Sequence, residues 1–171
     1  MDIGNEYLQC VISNFKMIQK QGERTLSQLS YEQICWAPHE ESNSIAIIIK
    51  HLHGNMRSRW TDFLTTDGEK LDRNRDTEFE GRYTSKEEVL VVWQEGWGYV
   101  FQTLATLTSQ HLLQKVYIRG EAHSVIQAIE RQIAHYALHI GQIIYIGKML
   151  KEKDWECLSI PKGQSNRYLS K

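Results

Sequence analysis

Proline is scarce in this chain, with two among 171 residues, Pro38 and Pro161. Each lies between segments that read as helical, so nothing forbids long uninterrupted helices. Cysteine is nearly as rare. Cys10, Cys35 and Cys157 are odd in number, widely spaced and without a C-x-x-C pair, which argues against a disulfide framework and a cysteine zinc site and favours a reducing compartment. A run of one charge sign is missing too. The 20 basic and 21 acidic residues are scattered to a net charge of -1, so no field attracts phosphates and nucleic acid is not an expected partner. The first residues, Met1-Asp2-Ile3-Gly4-Asn5-Glu6, lack the basic start and apolar stretch of an export signal. The stretch 132–147, free of Lys, Arg, Asp and Glu, holds two histidines and two glutamines and is too short for a bilayer. A cytoplasmic protein that avoids the membrane is expected.

What is present is an ordinary globular composition, 41% apolar and 24% charged, in a chain of one-domain length that can bury its own core. Apolar residues recur at three- and four-residue steps in four stretches. The first helix is expected over 2–29, through Leu8, Val11, Ile12, Phe15, Ile18, Leu26 and Leu29. The second, over 42–65, opens on the capping types Ser42-Asn43-Ser44 and carries Ile45, Ile48, Ile49, Leu52, Met56, Trp60 and Phe63. A third covers 85–109, with Ser85-Lys86-Glu87-Glu88 as a capping box and Gly96 and Gly98 weakening its middle. The fourth covers 124–151, with Ile126, Ile129, Ile133, Tyr136, Ile140, Ile144 and Gly147 in phase. Four such helices can bury their stripes only against one another, which predicts an all-α four-helix bundle in a single domain over 1–171. Residues 66–84 lose the period and are dense in charge, a surface connection of the length that often carries function. A short extended piece is expected around Val116-Tyr117-Ile118, and 155–171 reads as a tail.

The seven histidines include one pair with chemical meaning. His135 and His139 stand four apart inside the fourth helix, so both imidazoles project from one face and can reach a single ion at roughly 2 Å from each nitrogen. On a helical wheel they flank the isoleucine stripe beside Ala128 and Ile146 and face a neighbouring helix. The second helix offers His51 and His53, and facing helices of a bundle commonly assemble metal sites. Periodicity does not choose between these two, which lie on opposite edges of the apolar stripe.

The run Asn43-Ser44-Ile45-Ala46-Ile47-Ile48-Ile49-Lys50-His51-Leu52, followed far downstream by His135-x-x-x-His139-Ile140-Gly141-Gln142-Ile143, resembles the DinB superfamily, which includes the metal-dependent bacillithiol S-transferases. The resemblance covers nearly the whole chain. Arg73-Asn74-Arg75-Asp76-Thr77-Glu78-Phe79 and Ser159-Ile160-Pro161-Lys162-Gly163 are similar to features of an uncharacterised bacillary branch of that superfamily. It implies that His51, His135 and His139 hold one divalent metal ion and that His53 is a helix-surface residue. It also implies a homodimer whose partners are a small-molecule thiol, bacillithiol or like it, and an electrophile.

Three neutral nitrogen ligands leave an ion its double charge and an open position, where water or a thiol becomes the nucleophile, so no protein nucleophile is expected. Imidazole suits zinc, nickel, iron and copper alike; zinc is the expected native ion and nickel a purification artefact. A metal-dependent hydrolase and a non-catalytic metal-binding module are the alternatives. Peptide hydrolysis is disfavoured because Tyr136 stands where the H-E-x-x-H motif needs its glutamate. Asn55 and Gln142 are candidates to hydrogen-bond the ligands. His39, His111 and His123 fall in connections or at helix ends. Trp60, Trp93 and Trp97 read as core, and Cys10 as a small buried group.

Overall fold

Each long helix forms where its stripe and its caps agree. The computed structural model describes residues 2–168, and it is mostly helical with one small hairpin. Helix α1, Ile3–Ser27, buries Leu8, Val11, Phe15, Ile18 and Leu26 on one face. Cys10 is exposed, which corrects the expectation of a buried thiol: it lies about 160° round the helix from Leu8, away from the stripe. A short helix not anticipated from the sequence, α2, Tyr31–Cys35, follows, closed by a reciprocal cap between Ser30 and Gln33.

Helix α3, Ile45–Trp60, starts where the Ser44 hydroxyl accepts the Ile47 N–H at 3.2 Å. It stops earlier than the apolar pattern suggests, because Thr61 turns extended and Asp62 adopts φ of +48°. Helix α4, Lys86–Thr106, is capped by the Ser85 hydroxyl at the Glu88 N–H. The expected reciprocal bond is shifted by one residue, for the Glu88 carboxylate takes the Thr84 N–H at 2.6 Å instead. The expected extended piece is strand β1, Lys115–Ile118, paired antiparallel with an unanticipated strand β2, Glu121–Ser124, with Ile118 opposite Glu121. The two-residue loop between them places Arg119 and Gly120 at φ of +56° and +76°, left-handed positions of which the second is filled by the residue that adopts them without strain. Helix α5, Val125–Lys151, follows at once from a capping box of Ser124 and Gln127.

The four long helices share one core: α1 packs on α5 and α4, and α3 packs on α4 and α5. Trp60, Trp93 and Trp97 are in that core. At its centre Phe15 meets Trp60 edge-on at 5.6 Å, and Trp97 meets Tyr136 edge-on at 5.8 Å, the geometry aromatic quadrupoles favour. The Trp60 indole N–H donates to the Tyr136 hydroxyl at 2.9 Å, and that hydroxyl donates to Asn55 Oδ1 at 3.2 Å. This buried chain ties α3 to α5 beside the positions where both helices carry histidines. The segment after α5 is docked, since Arg24 donates to the carbonyls of Leu158 and Cys157 at 2.7 and 3.1 Å.

Candidate metal centre

One helix supplies two of the site's three rings and another the third. His135 and His139 project from one face of α5, and the fixed contact between α3 and α5 brings His51 opposite them. His135 Nε2 lies 3.3 Å from His51 Nε2 and 3.1 Å from His139 Nε2. His51 is buried and the other two are half-buried. His53 points elsewhere, 3.5 Å from Glu95 and against the ring of Tyr99, and does not join the group. Neither do His39, His111 and His123, nor any of the three cysteines.

The hydrogen bonds behind the rings decide which nitrogens face the common point. His51 Nδ1 sits 2.9 Å from Glu78 Oε2. Burial pushes the Glu78 carboxyl up, but hydrogen bonds from His51 and Arg73 outweigh it and hold the group below the usual carboxylate range. An ionised carboxylate only accepts, so His51 Nδ1 carries the proton and Nε2 presents a lone pair. His139 Nδ1 likewise faces Gln142 Oε1 at 2.8 Å, which leaves the His139 Nε2 lone pair directed at His135. A proton on His135 Nε2 can satisfy only one of these two acceptors. A cation would satisfy all three nitrogens at once.

Spacing fits the same answer. Two nitrogens at roughly 2.05 Å from a tetrahedral ion lie about 3.3 Å apart, close to the 3.1 and 3.3 Å found. The electrostatics keep the rings available. Desolvation first, then the nearby charges of His139, His51, Arg59 and Arg73, push His135 down to about 3. Desolvation also lowers His139. Both rings therefore stay neutral at pH 7 and need lose no proton to bind a metal. The three-histidine group can hold a metal ion.

Sequence reasoning missed Glu78, although it singled out the loop that carries it. Glu78 is buried in a 3₁₀ turn, Asp76–Phe79, and is gripped by Arg73, whose Nε reaches Oε1 at 2.7 Å and Nη2 reaches Oε2 at 3.0 Å. Arg73 continues to Glu69 at 3.2 Å, and Glu69 receives Arg59 and Arg119, each at 2.9 Å. A line of alternating charge thus runs from the hairpin turn to the back of His51. Phe79 lays its ring over His51 at 5.0 Å and stays partly exposed at the edge of the site.

One sequence signal points to Glu78. Gly54 sits inside α3, where glycine costs a helix about 1 kcal/mol relative to alanine. A Cβ there would fall 2.3 Å from Glu78 Oε1, so the missing side chain is what lets the carboxylate reach His51. Of the two candidate supporting residues, Gln142 lies against His139, while Asn55 lies against Tyr136.

The chain matches, over residues 2–164, the family described as "Protein of unknown function (DUF1572)". It belongs to the DUF1572 family. No curated protein matches it. The DUF1572 match spans α1 to α5, so His51, Glu78, His135 and His139 all fall within it. Among its described residues this DUF1572 chain has no helix long and apolar enough to cross a membrane.

Proposed function

We propose that this protein is a metal-dependent transferase of DinB type, a single-domain four-helix bundle whose three histidines hold one divalent ion, zinc in the cell. The observation that carries this reading is the convergence of three imidazole nitrogens whose tautomers are set from behind, by Glu78 for His51 and by Gln142 for His139. Carboxylate-backed histidine is the usual support of a metal ligand, because it fixes ring orientation and raises the basicity of the other nitrogen. The set of three neutral ligands is that of a catalytic site with an open position, whereas structural zinc sites are typically closed by four ligands.

A bound divalent ion supplies a Lewis acid that lowers the proton affinity of a thiol or water held at its open position. His51, His135 and His139 would hold it, and Glu78 and Arg73 would keep the His51 ring from turning away. Phe79 shields one side of His51 from solvent. With no cysteine at the group, the nucleophile comes from outside the chain, which favours a low-molecular-weight thiol attacking a small electrophile. Such a thiol belongs to the cytoplasm, where the three free cysteines of this chain also persist.

The test is adduct formation between a low-molecular-weight thiol and a chromogenic electrophile by protein loaded with zinc after purification without a metal column. Turnover should require both metal and thiol, disappear in His51→Ala and His135→Ala, and survive in His53→Ala. Ester or amide hydrolysis without any thiol would instead indicate a hydrolase. Zinc bound at one ion per chain with no turnover for any thiol tried would reduce the reading to a metal-binding module.

A further inference from the structure

A cleft of about 380 Å³ lies beside α3 and does not include any of the three histidines. Its walls are the end of α2 at Cys35, the first turns of α3 at Ala46, Ile47 and Lys50, and the strap at Arg82 and Tyr83. We infer that this cleft binds a small organic acid, its carboxylate held by Lys50 and Arg82 and its carbon body by Ala46, Ile47 and the ring of Tyr83.

The charges favour an anion. Lys50 gives one proton to the Glu80 carbonyl at 2.6 Å and keeps two for a ligand. Arg82 is exposed and makes no hydrogen bond or ion pair among the described residues. The one carboxylate on the wall, Glu88, is already engaged, accepting the Thr84 N–H and hydroxyl at 2.6 and 2.9 Å. Two cations therefore face the cleft against one occupied acid. The positive end of α3, sixteen residues long, adds to the same sign.

Neutral donors and apolar walls narrow the class further. Burial first, then the charge of Glu88, pushes the Tyr83 hydroxyl up to about 12, so it stays protonated, and it makes no hydrogen bond among the described residues. It can donate to a carboxylate oxygen. Inorganic phosphate would leave the walls of Ala46 and Ile47 facing water, whereas a short carbon chain would cover them. The volume falls near the lower limit for small-molecule sites, which suits a compact acid. The site stands independently of the metal reading, since it shares none of its residues.

The test uses the whole chain with pentanoate, glutarate, neutral pentanamide and inorganic phosphate as probes, followed by backbone amide shifts in NMR. Saturable shifts are expected at Ala46, Ile47, Gly81 and Tyr83 for the acids. Arg82→Gln should weaken acid binding about tenfold and Arg82→Lys restore part of it. Lys50→Met should act in the same direction, with a melting curve checking that loss of the Glu80 contact has not loosened the fold. Three results would each overturn the assignment: no saturation below about 20 mM acid, pentanamide binding as well as pentanoate, or phosphate binding more tightly than either acid.

Discussion

Replacing Glu78 by glutamine removes one charge and almost no volume, which makes it the sharpest probe of how the three rings are held. The wild-type carboxylate serves His51 at 2.9 Å and Arg73 at 2.7 and 3.0 Å, all in a buried position. Glutamine keeps one carbonyl oxygen, which at the Oε2 position can still accept from His51 and from Arg73 Nη2, but its amide group then meets Arg73 Nε donor against donor and the charge is gone. Losing the carboxylate behind a metal-binding histidine typically weakens the metal about 10- to 100-fold, or about 1.4–2.7 kcal/mol. Zinc affinity by competition with a chromophoric chelator should fall within that range. The fold suffers as well, because Arg73 keeps only Glu69 at 3.2 Å as a carboxylate partner. Breaking a buried pair costs about 3–5 kcal/mol, and at about 2–4 °C per kcal/mol for this chain length Glu78→Ala should lower the Tm by about 6–20 °C. Glu78→Gln should fall short of that. The affinity measurement belongs at a temperature where circular dichroism shows both proteins folded. A folded Glu78→Gln protein that binds zinc as tightly as wild type, within about twofold, would refute the claim that Glu78 sets the His51 ring.

Three further outcomes follow from the same geometry. Gly54→Ala should destabilise the protein and weaken zinc despite the better helix propensity of alanine, since its Cβ would meet Glu78 Oε1 at 2.3 Å; a higher Tm than wild type would contradict this. Tyr136→Phe should cost about 1–3 kcal/mol in urea denaturation, because it orphans the Trp60 indole N–H and the Asn55 carbonyl in the core. The metal-free protein should lose stability with acid in two overlapping stages. His135, held at about 3 by burial and its charged neighbours against 6.5 unfolded, refuses a proton that the unfolded chain accepts, so stability falls as pH drops from about 6.5 toward 3. Glu69 is raised by burial but held at about 2 by Arg59, Arg119 and Arg73, so its stabilisation is complete above about 4.5 and lost as pH falls toward 2. After discounting for its exposure that carboxylate contributes about 1 kcal/mol, and Glu69→Gln should flatten only the lower stage of an acid titration followed by fluorescence.

The helices were legible because their signals are local. A stripe at 3.6-residue spacing and a hydroxyl at the N-cap act within a few residues, and so Ser44, Ser85 and Ser124 each mark a helix start in the sequence and in the fold. Ends were less legible, as at Trp60, where the apolar pattern runs on past the point at which Asp62 turns the backbone. The pairing of β1 with β2 was invisible beforehand because Glu121-Ala122-His123-Ser124 has little apolar alternation of its own and is recruited by its partner.

The sequence by itself determined half of the site: His135 and His139 must share a face of one helix, since four residues make just over one turn. Helical period could not choose between His51 and His53, because it states which residues share a face and not how far a neighbouring helix is rotated against it. The family resemblance pointed to His51, and the tertiary structure brings His51 opposite the pair. That structure alone placed Glu78 behind His51, from a stretch of chain with no period to read, through a gap that Gly54 leaves open.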